Sequence, residues 1–167
     1  MMKTQHNLAD AFAGESQANR KYLAYGDAAA KEGLAQVAKL FRAVAAAETI
    51  HAHAHLRAMG GIKRTAENLA DAIAGEKHEF EEMYPAFVAD AEAEGHRQAT
   101  MSMTYAMAVE KTHHGLFVDA LEAVQSGRDL AEAKIQVCPV CGHTVVGEAP
   151  DHCPVCKARG DKFTEIQ

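Results

Sequence analysis

Glu48-Thr49-Ile50-His51 and Glu110-Lys111-Thr112-His113 are two Glu-x-x-His quartets set in alanine-rich sequence. On a helix, residues three apart share one face, roughly 5–6 Å apart at Cβ, so each quartet offers a carboxylate and an imidazole to one metal ion. Each quartet is preceded by a lone Gly-Glu pair, Gly14-Glu15 and Gly75-Glu76, and Glu79 lies one helical turn beyond the second. Taken singly, a Glu or His on an apolar helix face is more often a satisfied structural residue than a ligand. Together they are five carboxylates and two histidines aimed at one core, at a desolvation cost of several kcal/mol per ion unless cations neutralise them. A donor set rich in carboxylate and free of thiolate favours iron or manganese over a closed zinc site, and iron is the first choice.

The elements that must carry these groups show an internal repeat. Glu15 to Glu48 spans 33 residues and Glu76 to Glu110 spans 34, and Ala-Gly-Glu recurs at 13–15 and 74–76. Each half reads as a helical hairpin turning at Glu32-Gly33 or Glu94-Gly95, since glycine suits the left-handed position that ends a helix. Helices are expected over about 4–31, 34–59, 66–93 and 96–125. At 1.5 Å per residue, Glu15 lies about 24 Å before the end of the first helix and Glu48 about 21 Å after the start of the second, so antiparallel packing levels them. Pro85 falls inside the third helix and predicts a kink there. The segment 60–65 that joins the hairpins reads either as a tight turn or as the start of a crossover along the bundle. One helix from each Glu-x-x-His quartet and one from each lone Glu make the known ligand set of ferritin-like di-iron bundles, and the pattern is matched to that set rather than deduced from first principles.

After Gln125 the composition changes. Ser126-Gly127-Arg128 breaks the helical pattern, and all four cysteines follow, in Cys138-Pro139-Val140-Cys141 and Cys153-Pro154-Val155-Cys156. Two Cys-x-x-Cys knuckles supply four thiolates for one tetrahedral metal, without which some 30 residues could hardly fold. Taken alone, this tail reads as a structural zinc ribbon; beside a redox-active pair of irons, a four-thiolate iron that passes single electrons is the better fit. The expected division is 1–125 as the helical domain, 126–136 as a linker and 137–167 as the cysteine module.

Composition excludes some classes of function. The formal charge of −6, with no Lys/Arg cluster, argues against nucleic acid as a partner. No stretch approaches the roughly 18 uncharged apolar residues of a membrane span, and the start has no apolar signal core, so a cytoplasmic protein is expected.

These residues resemble the rubrerythrin family over nearly the whole chain, from about Gln5 to Phe163. The resemblance is carried by Ala13-Gly14-Glu15-Ser16-Gln17-Ala18 with Tyr22, by Gly75-Glu76-x-x-Glu79 with Met83-Tyr84-Pro85, by the two Glu-x-x-His quartets and by the paired knuckles, which are similar to a rubredoxin-like domain. It implies an all-α ferritin-like four-helix bundle with a small rubredoxin-like C-terminal domain, two irons in the bundle and one iron, or else zinc, at Cys138, Cys141, Cys153 and Cys156. Glu48 and Glu110 would bridge the irons, Glu15 would serve the first, and Glu76 with His113 the second. Glu79 and His51 would be alternatives on the first iron, exchanged with redox state. The chain departs from the pattern where Lys157 stands in place of a usual Gly, in a shortened stretch between the knuckles, and in having Phe163 as the tail's only aromatic.

Function follows as an expectation: a peroxidase reducing hydrogen peroxide to water, with Glu79, His51, Tyr22 and Tyr84 acting at the site. Tyr22 follows Glu15 by seven residues and so shares its face, where it is expected either to bond a ligand or to be a satisfied core tyrosine. Electrons would come from a reductase or a rubredoxin; the resemblance implies a nicotinamide-dependent donor, although no nicotinamide-binding motif occurs. It also implies a homodimer in which one subunit's four-thiolate iron sits beside the other's di-iron site, and a swapped pairing would shorten that path. The alternatives are a ferroxidase using dioxygen and a non-catalytic metal-binding bundle with a structural zinc ribbon.

Overall fold

The computed structural model describes residues 3–167. They form two compact units, one ending at Lys63 and the other running from Arg64 to Gln167. The first unit is a hairpin of α1 (Lys3–Lys31) and α2 (Ala35–Ala58). Its turn is set by Gly33 at φ 79°, with the Leu34 amide donating to the Ala29 carbonyl and the Gly33 amide to that of Ala30, the paired bonds of a glycine stop. The seam between the helices is made of small residues. Ala38, Ala45 and Ala52 recur every seven residues and are buried, and a Cβ added at Gly26 would meet the Ala38 carbonyl oxygen at 3.3 Å. Two backbones that approach this closely leave little room for large side chains between them, and Leu40 and Ile50 are 63% and 65% exposed.

The second unit begins with α3 (Thr65–His78), continues through a π-helical turn (Glu79–Met83) into α4 (Tyr84–Ala93), and returns along α5 (Arg97–Gln125). The expected third helix is therefore divided by a π-helical turn directly before Tyr84-Pro85. Pro85 has no N–H to give and its ring would strike the carbonyl one turn back. The widened turn, in which the Tyr84 amide donates to the Glu79 carbonyl, opens the helix ahead of that clash. Gly95 at φ 70° ends α4 with the same pair of bonds seen at Gly33, and the His96 side chain caps α5 by accepting from the Ala99 amide at 3.2 Å.

The remainder of this unit is a three-stranded antiparallel sheet of β1 (Ile135–Val137), β2 (Thr144–Val146) and β3 (Thr164–Glu165), in the order β2-β1-β3. The two knuckles repeat one backbone design. In the first, the Cys138 amide donates to the His143 carbonyl and the Gly142 amide to that of Cys138; in the second, Cys153 pairs with Ala158 and Lys157 with Cys153 in the same way. The sheet rests on α5, where Val109 is buried and lies 3.8 Å from a Cβ built on Gly142. Among the described residues no helix is long and apolar enough to cross a membrane.

Candidate metal centres

Each helical hairpin brings one set of three candidate ligands together. In the first, Glu15 from α1 meets Glu48 and His51 from α2; in the second, Glu76 from α3 meets Glu110 and His113 from α5; within each set the ligand atoms lie within 4.8 Å of one another. The three-residue helical spacing does what the sequence demands. His51 Nδ1 is 2.8 Å from Glu48 Oε2, and His113 Nδ1 is 2.8 Å from Glu110 Oε2.

The second set carries the heavier electrostatic load. Burial, reinforced by the Glu110 charge and a hydrogen bond shared with it, pushes the Glu76 carboxyl up to about 7. Glu79 is also raised, by burial first and then by Glu110. Burial raises the Tyr84 hydroxyl too, with Glu110, Glu79 and Glu76 adding to it, so the tyrosine lies within electrostatic reach of all three acids. Acids whose carboxyls are raised by burial and by one another's charge form a cluster short of positive charge, which a divalent cation supplies. A cavity of about 820 Å³ opens beside Glu76 and His113, walled by Leu69, Phe117, Leu130 and Val146.

The four cysteines converge in the module, with Cys138 Sγ 3.6 Å from Cys156 Sγ and Cys141 Sγ 3.6 Å from Cys153 Sγ. A tetrahedron of sulfurs about 2.3 Å from a central metal has edges of about 3.8 Å, so these spacings fit one ion. Burial pushes Cys141 up to about 12, whereas at Cys153 the backbone N–H groups of Cys156 and Val155 overcome burial and bring the thiol down to about 7.

The helical part, residues 6–121, matches the family model described as Rubrerythrin, and residues 136–164 match that of the rubrerythrin rubredoxin-like domain. The chain belongs to the rubrerythrin family. It is 34% identical to Rubrerythrin-2 of Clostridium acetobutylicum over 170 residues, covering 93% of this chain and 92% of that protein. Nigerythrin of Nitratidesulfovibrio vulgaris is also 34% identical, over 96% of this chain and 85% of its own length. A solved structure of partially reduced nigerythrin superposes with a TM-score of 0.60 at 32% identity, covering 99% of this chain and 88% of that one. Membership of the rubrerythrin family makes the chain an oxidoreductase with a di-iron site, accompanied by the four-cysteine cluster of its rubredoxin-like domain.

The remaining expected site residues fall in distinct places. Glu79 opens the π turn and feels Glu110 but stands outside the set of three formed by Glu76, Glu110 and His113. Tyr22 packs against Tyr25 and Phe41, with ring centroids 6.3 and 6.2 Å away, so its ring belongs to an aromatic cluster of the first hairpin. The cysteine module lies against α5 of its own chain, where His113 Nε2 is 3.0 Å from Thr144 Oγ1.

Three residues escaped the sequence reading. Asn19 is buried in the seam, and its side-chain amide donates to the Ala45 carbonyl at 2.7 Å and to Thr49 Oγ1 at 2.9 Å, tying α1 to α2 next to Glu48. Its spacing of four from Glu15 was the available signal. His143 is buried with Nδ1 unpartnered, and burial followed by the charge of His113 lowers its pKa. Thr144 had no signal at all, because its importance comes from how the module docks.

Proposed function

We propose that this protein reduces hydrogen peroxide to two waters at a di-iron centre, consuming two electrons and two protons, with the irons recharged through an iron held by the four thiolates. The observation that carries this reading is the contact of the cysteine module with a ligand of the carboxylate site, His113 to Thr144 at 3.0 Å. A one-electron donor has to lie within short reach of the metals it recharges, and this contact puts the module there. In this reading Glu15, Glu48, Glu76, Glu110 and His113 hold the two irons, and His51 and Glu79 alternate on the first. Iron bound there would supply the two electrons and Lewis acidity for the reaction. The chain's own groups handle protons. Tyr84, whose hydroxyl is raised by burial and by the charges of Glu110, Glu79 and Glu76, keeps its proton beside the ligands and is the group placed to pass one on.

The same reading assigns residues 1–125 to the di-iron domain, 126–136 to a linker and 137–167 to the electron-accepting module, in a cytoplasmic protein fed by a reductase or a separate rubredoxin. A homodimer with exchanged hairpins completes it, and the length of the connection supports that. In a ferritin-like bundle with a crossover, the second and third helices run parallel. Glu48 lies about 15 Å before the end of α2 and Glu76 about 16 Å after the start of α3, so levelling them would take the chain back by about 31 Å. Residues 59–64 can stretch to about 25 Å at most. Part of even that is spent on the bonds from Gly60 to the Arg57 carbonyl and from Gly61 to that of Leu56. A second copy can provide the hairpin that one copy's linker cannot deliver.

Rapid mixing of the ferrous protein with peroxide and, separately, with dioxygen tests the assignment. Oxidation by peroxide at least about tenfold faster is expected; dioxygen proving the faster oxidant would transfer the protein to ferroxidase chemistry. Colourless protein carrying zinc at every site after growth with ample iron would remove the redox reading altogether.

A further inference from the structure

Thr144 makes two hydrogen bonds that belong to different parts of the unit. Its Oγ1 lies 3.1 Å from the Gly142 carbonyl oxygen and 3.0 Å from His113 Nε2. A hydroxyl has one proton to give, and a carbonyl oxygen can only accept. The Thr144 proton is therefore committed to Gly142, and His113 must donate its Nε2–H to Thr144. In the neutral ring this leaves the lone pair on Nδ1, the atom that faces Glu110 Oε2 at 2.8 Å and Glu76 Oε1 at 3.8 Å. We propose that Thr144 is the positioning residue of the carboxylate site: it holds His113 in the ligand-ready tautomer and orientation, and it does so from the backbone of the first cysteine knuckle. This rests on the reading of Glu76, Glu110 and His113 as metal ligands, but not on peroxide as substrate.

A second consequence follows from where the Thr144 proton is spent. Gly142 is the residue after Cys141, and the Gly142 amide is itself bonded to the Cys138 carbonyl. Metal captured by Cys138 and Cys141 fixes that loop, the loop fixes the hydroxyl, and the hydroxyl fixes the imidazole. Filling the four-thiolate site thus tightens metal binding at Glu76, Glu110 and His113, and by linkage the reverse holds. Outer partners of metal-bound histidines are commonly worth 10–100-fold in affinity. No other side chain of the module is seen to bond a candidate ligand of the helices among the described residues.

The test uses the full chain with ring-labelled histidines, zinc in the four-thiolate site, and zinc titrated against a chelator into the carboxylate site. His113 nitrogen shifts report binding at this one position. Thr144→Val keeps the shape and loses the hydroxyl; Thr144→Ser restores it. The valine variant is expected to bind zinc at His113 about 10–100-fold more weakly and to lose the slow exchange of its Nε2–H. The serine variant should stay within about threefold of the parent. In the parent, emptying the thiolate site should weaken binding at His113, and in the valine variant it should make no further difference. Unchanged zinc affinity at the four thiolates shows that the valine module is folded. Equal affinity and equal Nε2–H exchange in parent and valine variant would overturn the proposal, and so would equal loss in valine and serine variants. If the parent bound no zinc at His113, the metal assignment would fall, while the Nε2–H exchange would still decide whether Thr144 holds the ring.

Discussion

The two hairpins carry the same Glu-x-x-His motif and treat its histidine differently. His51 is 55% exposed and its bond among the described residues is to Glu48, its own helical neighbour. His113 is 25% exposed and is held from both sides, by Glu110 at Nδ1 and by Thr144 at Nε2. Acid content differs in the same direction, with Glu15 and Glu48 in the first hairpin against Glu76, Glu79 and Glu110 in the second. A duplicated motif fixes which atoms can bind but not how firmly they are held. Firmness comes from the surroundings, which the second hairpin obtains from the cysteine module. On the proposed reading, His51 is the histidine that exchanges with Glu79 and His113 the one that stays bound.

Removing each histidine gives the largest effect and the most direct way to break this contrast. His113→Ala is expected to lose metal at the second position and to cut peroxide turnover more than about a hundredfold, whereas His51→Ala, with Glu79 able to substitute, should cost about tenfold. Iron content and steady-state turnover measure both, and equal losses would mean that the two rings do the same job. Proton competition comes next in size. With Glu76 at about 7, metal must displace a proton there below neutrality, so affinity at the second hairpin should fall by about tenfold per pH unit below about 7. The sign for the metal-free protein follows from the raised value. The folded form holds that proton more tightly than the unfolded chain, so its stabilisation is full below about 4.5 and is lost as pH rises through about 7. Calorimetry should therefore show the Tm gain from added metal growing between pH 5 and 8, and Glu76→Gln should flatten that growth.

Much of this was legible in the sequence because helical spacing is a strong constraint. Glu48 with His51 and Glu110 with His113 share faces by arithmetic, and Gly33 and Gly95 mark turns because few other residues accept positive φ. The four cysteines announce one tetrahedral site in the same way. What escaped depends on contacts between distant parts of the chain. No periodicity reveals that Thr144 meets His113, 31 residues away. Pro85 signalled a disturbance of the third helix, but only the backbone of Glu79–Met83 shows that it takes the form of a widened turn. Tyr22 does lie seven residues from Glu15, yet that spacing could not show that Tyr25 and Phe41 would gather its ring.

Asn19 offers a smaller, structural test of how the first hairpin holds its ligands. Its two bonds to Ala45 and Thr49 are the cross-helix polar tie beside Glu48. Asn19→Ala should destabilise the protein by about 1–3 kcal/mol in urea unfolding, the range for removing a buried hydrogen-bonding partner. If metal binding at Glu48 weakened as well, the first hairpin would prove to have a positioning residue of its own, and the contrast with Thr144 would become one of degree.

The smallest effect extends the same comparison to the knuckles, the other duplicated feature of the chain. Both end in a residue with positive φ, Gly142 at 85° and Lys157 at 64°. The Cβ of Lys157 is crowded against its own backbone there, at a cost of about 1–2 kcal/mol that glycine avoids. The exposed bond from Lys157 Nζ to the Pro154 carbonyl, 2.9 Å, offsets only part of it. Lys157→Gly should therefore stabilise the zinc-loaded module by about 1 kcal/mol in denaturant unfolding, while Gly142→Ala should destabilise it by a similar amount. A loss of stability in Lys157→Gly would mean that the lysine is retained for its bond to Pro154, and that the second knuckle is braced by a side chain where the first relies on backbone alone.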